Sequence, residues 1–61
     1  MIEDAWIERI IARPEHESVQ ADGRIRLWGR VPEYGGGYLR VILLADRETV
    51  HNAFFDRSYK P

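Results

Sequence analysis

The segment YLRVILLA, residues 38–45, predicts a β-strand that is apolar on both of its faces. Alternate side chains along a strand point to opposite faces. Leu39, Val41 and Leu43 therefore lie on one face, and Ile42 and Leu44 lie on the other. A strand of this kind needs a cover on each side. A chain of 61 residues has little to cover it with, because a domain of this size buries only about 60% of the surface its unfolded chain exposes.

Two further strands flank this segment. Residues 24–31, RIRLWGRV, alternate between apolar and polar side chains, and the glycine-rich sequence PEYGGG that follows predicts a hairpin connection. On the other side, a short polar turn at residues 46–48 leads to a third strand at residues 49–55. Alternation places Val50, Asn52 and Phe54 on one face of that strand. The sequence therefore predicts an antiparallel meander.

Residues 4–13, DAWIERIIAR, have the periodicity of an amphipathic helix, with apolar side chains three and four positions apart. Asp4 suits the N-cap, and Pro14 ends the helix. Residues 14–22 predict an irregular or partly extended connection, and residues 56–61 a basic tail. The whole chain, residues 1–61, is thus predicted to form a single α+β domain, in which one N-terminal helix packs on a three- to four-stranded antiparallel β-meander.

Composition excludes several classes of protein. The chain has no cysteine, so neither a disulfide nor a thiolate metal site is expected. The only two histidines, His16 and His51, stand 35 positions apart, and no motif for a metal or a cofactor is present. The longest apolar run is far shorter than a membrane span, and the acidic N-terminus does not resemble a signal peptide. We therefore expect a cytoplasmic protein without metal, cofactor or membrane contact.

A net charge of −1 conceals an uneven distribution, since residues 1–22 carry −4 and residues 23–61 carry +3. The basic excess falls on the predicted sheet. One face of the strand at residues 24–31 carries three arginines and a tryptophan, namely Arg24, Arg26, Trp28 and Arg30. Arginines beside an aromatic ring suit a surface that contacts phosphates and stacks a base, which predicts RNA binding. The alternative is that Trp28 packs over a neighbouring strand while the arginines stay hydrated or pair with acids.

The order of the motifs WI..II..PEH, a charged Asp-Gly turn, RVPE-GG-LRV and AFFDR resembles a family of short bacterial proteins similar to the RelE/BrnT-like toxin superfamily. The resemblance covers residues 6–57, and its most specific part is AFFDR, residues 53–57. It implies a ribonuclease-like fold whose functional groups sit on the concave face and the end of the sheet. It also implies RNA as the partner, and in several such toxins RNA cleavage without a metal.

Cleavage of RNA without a metal needs an acid or base and cations that stabilise the charged phosphorane. In this sequence His51 is the candidate acid or base, and Arg40 and Arg57 are the candidate phosphate clamps. Tyr59 and Lys60 on the tail are further candidates.

A different class of function follows from the two-sided strand. The protein is then a non-catalytic interaction module that completes its core by forming a homodimer or by binding another protein. Its interface is predicted to contain Ile42, Leu44 and Trp28. The position of the helix bears on the RNA-binding hypothesis. A helix on the Leu39 face leaves the arginine-bearing face open to a partner, whereas a helix over Trp28, Ile42 and Leu44 removes that surface.

Overall fold

The computed structural model describes residues 2–60 of the chain. Its elements in chain order are the helix α1 (Asp4–Ala12) and the strands β1 (His16–Val19), β2 (Ile25–Val31), β3 (Gly37–Leu43) and β4 (Val50–Phe55), with a short 3-10 helix, Pro32–Tyr34, between β2 and β3. The four strands form one antiparallel sheet in the order β1-β2-β3-β4. The predicted α+β class and the meander are therefore confirmed. The fourth strand is β1, which lies within the connection predicted for residues 14–22.

The N-cap of α1 lies one residue earlier than the sequence predicts. Glu3, with an extended backbone, is the N-cap, and Asp4 is the first helical residue, so the prediction of Asp4 as N-cap was wrong. Glu3 makes no side-chain capping bond. The other end agrees with the proline rule: Arg13, which precedes Pro14, leaves the helical region at φ −144° and ψ 72°.

The helix α1 covers the sheet face that carries Leu39, Val41 and Leu43. Trp6 and Ile10 supply its buried side chains. The sheet contributes six buried residues to the same core, Ile25, Leu27, Val31, Leu39, Val41 and Leu43. Ile10 lies directly over Gly29, where a Cβ atom would be only 2.7 Å from the Ile10 Cγ1. Gly29 thus lets the helix approach the sheet closely.

A β-bulge divides strand β4. Val41 pairs with Ala53 and Ile42 with Asn52, but the next residue of β3, Leu43, pairs with Val50. His51 is therefore the extra residue, and it shifts the alternation of side chains on its N-terminal side. Val50 lies beside Ile7 and Ile11 of α1, away from the face of Asn52 and Phe54. The predicted grouping of Val50 with those two residues was wrong for this reason.

Both connections that flank β3 contain left-handed backbone. Gly35 and Gly36, after the 3-10 helix, have φ values of 65° and 77°. Arg47, between β3 and β4, has φ 63°. The Asp46 carboxylate braces that second connection by accepting hydrogen bonds from the Glu48 and Thr49 amides and from the Thr49 hydroxyl.

No helix within residues 2–60 is long and apolar enough to cross a membrane.

Candidate functional site

The sheet face opposite α1 is built from arginine and aromatic side chains, and we refer to it as the arginine face. Its members on β2, β3 and β4 are Arg26, Trp28, Arg30, Tyr38, Arg40, Ile42, Asn52 and Phe54. Each arginine lies near an aromatic ring: the Cζ atoms of Arg26, Arg30 and Arg40 are 5.9, 5.7 and 4.4 Å from the ring centroids of Trp28, Tyr38 and Phe54. Such pairs are attractive because the ring face is electronegative. They hold three cations on one surface.

Trp28 lies inside this layer and is only 7% exposed. The C-terminal tail folds back over it, so that the Tyr59 ring stacks on Trp28 with centroids 5.1 Å apart and an interplanar angle of 15°. His16 packs against the same indole at 5.2 Å, and the indole Nε1 donates to the Asp56 Oδ2 at 3.2 Å. Trp28 therefore packs against its own chain, which is the alternative that the sequence left open for it.

Asp56 connects the tail to the arginine face. Its carboxylate accepts bonds from the Ser58 amide and hydroxyl at 3.0 and 2.6 Å and lies 3.6 Å from the Arg40 guanidinium. The bond from the Ser58 hydroxyl, followed by that from Trp28, holds the pKa of the Asp56 carboxyl below its ordinary value. Asp56 is thus an anion that partly neutralises Arg40.

Two guanidinium groups of the arginine face are not paired with an acid among the described residues, although the Glu15 carboxylate accepts a hydrogen bond from the Arg30 backbone amide at 2.8 Å. Arg26 and Arg30 make no ion pair with any residue in the described part of the chain, whereas Arg24 lies 3.7 Å from Asp22. The Nε atoms of Arg26 and Arg40 are buried without a hydrogen-bond partner among residues 2–60. These two donors are buried, so a ligand on the arginine face can be contacted only by the terminal nitrogens of the guanidinium groups.

Phe54 is the exposed aromatic residue of this face. It pairs with Arg40 across the β3–β4 ladder, and it is 39% exposed beneath the Arg40 guanidinium. Phe54 lies on a predicted strand, but it is not among the predicted RNA-contacting residues. The sequence does indicate that Phe54 and Arg40 are neighbours. The strands β3 and β4 form a hairpin, and both residues lie on the sheet face opposite Leu39.

The proposed catalytic residues are not brought together. His51 is exposed in the bulge, and it is three residues from Phe54, the partner of Arg40. At a strand rise of about 3.3 Å per residue, His51 and Arg40 are roughly 10 Å apart along the sheet. Arg57 lies beyond the end of β4. No three histidine, aspartate or glutamate side chains within residues 2–60 are grouped closely enough to hold a metal ion.

The predicted interface residues differ in exposure. Ile42, like Trp28, is buried within the single chain, at 5% exposure, and its neighbours across the sheet are Arg26 and Asn52. Leu44 is half-buried. The long arginine side chains and the tail thus cover much of the apolar surface for which the sequence required a partner.

Comparison with protein-family models, with curated proteins and with solved structures finds no match to this chain.

Proposed function

We propose that this protein binds single-stranded RNA on the arginine face. The observation that carries the proposal is the exposed ring of Phe54 beside Arg40, with Arg26 and Arg30 on the same face and without ion pairs in the described part of the chain. A base stacks on the aromatic ring, and the guanidinium groups contact the phosphates on either side of it. Phosphates and base rings are common to all nucleic acids, so the contacts of the face do not by themselves select RNA. The choice of RNA follows from the resemblance of the sequence to the RelE/BrnT-like superfamily.

The proposal is limited to binding. Cleavage by His51 requires that its imidazole and at least one arginine reach the same phosphate. His51, in the bulge about 10 Å along the sheet from Arg40, is not among the residues that carry the proposal.

The salt dependence of RNA binding tests the proposal. A fluorescein-labelled, single-stranded RNA decamer is titrated with the protein at several salt concentrations, and the affinity is read from fluorescence anisotropy. The matched variants are Arg30→Gln on the arginine face and Arg13→Gln at the end of α1, because both residues are exposed and neither makes an ion pair within residues 2–60.

Each phosphate contact contributes about 0.7 to the slope of log affinity against log salt concentration for single strands. We expect Arg30→Gln to reduce the slope by about this amount and Arg13→Gln to leave it unchanged. We expect Phe54→Leu to weaken binding roughly tenfold, through the loss of stacking. The proposal is refuted if the decamer does not bind at low salt, or if Arg13→Gln and Arg30→Gln have the same effect.

A second candidate function, docking of an extended protein segment, is favoured by the edge of β4. Asp56 donates its amide to Tyr38 on β3, so by the alternation of an antiparallel ladder Ala53 and Phe55 direct their backbone N–H and C=O groups away from the sheet. A groove of about 420 Å³ lies between α1 and the start of the same strand, β4. Its apolar lining is Ile7, Ile11 and Val50, and its acidic lining is Asp4, Glu8 and Glu48.

These features suit a strand with alternating basic and apolar residues. A peptide of alternating lysine and valine is added to the ¹⁵N-labelled protein, and a peptide of alternating glutamate and valine serves as the control. We expect the lysine peptide alone to shift the amide resonances of Ala53 and Phe55. Equal shifts with both peptides, or with neither, contradict this second function.

A further inference from the structure

We infer that a cleft at the end of the sheet is a binding site for one nucleobase together with its phosphate. The cleft has a volume of about 320 Å³ and lies where the start of β3 meets the end of β4. This inference rests on the proposed function, since the base belongs to the RNA strand that crosses the arginine face. It adds a defined position for one base at the end of that face.

Aromatic rings line the cleft from two sides. Tyr34 and Phe55 form one pair, stacked with centroids 4.0 Å apart and an interplanar angle of 15°. Tyr38 and Tyr59 form the other pair, with centroids 5.0 Å apart and an angle of 60°. Tyr34 is 48% exposed. Both pairs contribute to the lining, so a flat ring that enters the cleft meets aromatic surface, which favours stacking of a base without regard to its identity.

Two glycines keep the side of the cleft formed by Tyr34 and Phe55 free of further side chains. Gly35 and Gly37 line the cleft and contribute no side chain to it. A Cβ atom at Gly37 would lie 3.3 Å from the Phe55 ring, which is closer than an ordinary carbon contact. The volume of about 320 Å³ is at the lower end of the range for small-molecule sites, as expected for one base rather than a larger ligand.

The charges around the cleft favour an anion. Arg57 lines it and makes no ion pair within residues 2–60. A second guanidinium, that of Arg30, lies near the Tyr38 side of the cleft, with its Cζ 5.7 Å from the centroid of the Tyr38 ring. The one carboxylate in the lining, Asp56, is engaged with Ser58, Trp28 and Arg40.

The cleft is continuous with the arginine face, because Tyr38 belongs to both. Tyr38 is two residues from Arg40 along β3, and Arg40 lies over Phe54. A strand rise of about 3.3 Å per residue places the Phe54 ring roughly 7 Å along the sheet from the Tyr38 side of the cleft. One RNA strand can therefore stack one base on Phe54 and place another in the cleft.

The test uses adenosine 5′-monophosphate as a single-nucleotide probe and follows the amide resonances of the ¹⁵N-labelled full chain. Tyr34→Leu and Phe54→Leu are the matched variants, since each replaces one exposed aromatic ring by an aliphatic side chain. One ring belongs to the cleft and the other to the arginine face. The amide spectrum of each variant, recorded first without ligand, establishes that it is folded.

We expect the nucleotide to shift the amide resonances of Gly35, Gly37 and Arg57. Tyr34→Leu should weaken this binding roughly fivefold or more, whereas Phe54→Leu should leave it unchanged. The inference is overturned if the nucleotide shifts none of these amides, or if the two variants weaken its binding equally. It is also overturned if choline, a cation that aromatic cages bind, shifts these resonances and the nucleotide does not.

The two proposals fail in different ways. If the RNA decamer binds and the nucleotide leaves the cleft resonances unchanged, the nucleobase site is refuted and the RNA-binding function stands. If the nucleotide shifts the cleft resonances and the decamer does not bind, the cleft is supported as a nucleotide site and the RNA-binding function is refuted.

Discussion

Replacing Gly29 by alanine tests the central packing contact of this fold. The added Cβ would be 2.7 Å from the Ile10 Cγ1 and 3.4 Å from its Cδ1. The optimal separation of two carbon atoms is about 3.5–4.0 Å, so Ile10 or the whole helix has to retreat by roughly 1 Å. Ile10 is only 2% exposed, and the buried residues around it leave it little room to do so.

The magnitude follows from two opposed terms. Overpacking a well-packed core costs about 1–3 kcal/mol of unfolding free energy. Alanine in a strand interior is more favourable than glycine by about 0.5–1 kcal/mol, which offsets part of that cost. We expect Gly29→Ala to lower the free energy of unfolding by roughly 0.5–2 kcal/mol. A domain of 61 residues has only about 3–9 kcal/mol in total, so the loss is easy to measure.

A double-mutant cycle with Ile10→Ala isolates the contact. Ile10→Ala removes the Cγ1 and Cδ1 atoms, and the Cβ that remains at residue 10 is 3.6 Å from the Cβ added at residue 29, an ordinary contact. In that background Gly29→Ala should therefore stabilise the protein, by about 0.5–1 kcal/mol, since only the favourable term remains. The sign of the effect of Gly29→Ala reverses between the two backgrounds.

The assay is urea unfolding followed by fluorescence, because Trp6 of α1 is buried in the core between the helix and the sheet, and Trp28 lies on the opposite face of the sheet. Ile10→Ala itself costs about 2–5 kcal/mol, so all variants are measured in the same concentration of a stabilising osmolyte. Gly35→Ala is the control, since its cost comes from left-handed backbone and should not depend on residue 10. If Gly29→Ala destabilises both backgrounds equally, the argument from close approach is refuted.

Two further predictions concern single contacts. The bidentate pair of Arg9 with Glu33, at 3.0 and 2.6 Å, lowers the pKa of the Glu33 carboxyl to about 2. Because this folded-state pKa lies below that of the unfolded chain, the pair stabilises the fold above the ordinary pKa, and its contribution disappears as the pH falls through about 2. An NMR titration should show the pKa of the Glu33 carboxyl near that value and a rise toward its ordinary range in Arg9→Gln, where only the backbone hydrogen bond still lowers it. An unchanged midpoint in the variant would contradict the assignment. Tyr59→Ala should expose Trp28, shift its fluorescence to longer wavelength and cost about 0.5–1.5 kcal/mol of stacking, whereas Tyr59→Phe keeps the ring and should resemble the parent.

The parts of the fold that sequence predicts well are those with regular side-chain periodicity. The apolar stripe of α1, the alternation of β2 and the two apolar faces of β3 each indicate the correct element within one or two residues. The sequence leaves open which face α1 covers, and in the structure it is the face of Leu39, Val41 and Leu43, which continues into Ile25 and Leu27.

The features that the sequence does not reveal depend on tertiary contacts. No glycine or proline marks the bulge at His51, so simple alternation places Val50 on the wrong face. The strand β1, HESV, has one strongly apolar residue, and it forms because β2 offers it a ladder of hydrogen bonds. The tail is polar in sequence, and its return over Trp28 depends on a carboxylate and a tyrosine that meet distant partners.

The candidate site was predicted only in part for the same reason. Strand periodicity places Arg26, Arg30 and Arg40 on one face, where the structure has them. It says nothing about which rings remain exposed, and that depends on where the tail goes. Tyr59 covers Trp28 and leaves Phe54 as the exposed ring of the arginine face.

The meander order has a consequence for the way this chain opens and closes. Each strand pairs with its neighbour in the chain, so closing each hairpin loop costs little conformational entropy and folding should be fast for a sheet protein. The β2–β3 hairpin creates the surface on which α1 docks, so we expect it to form the slowest-exchanging unit of the domain. The outer strand β4 has a partner on one side only and opens at lower free energy. Phe54 and the end of β4 can therefore adjust to a ligand while the helix and the central hairpin stay closed.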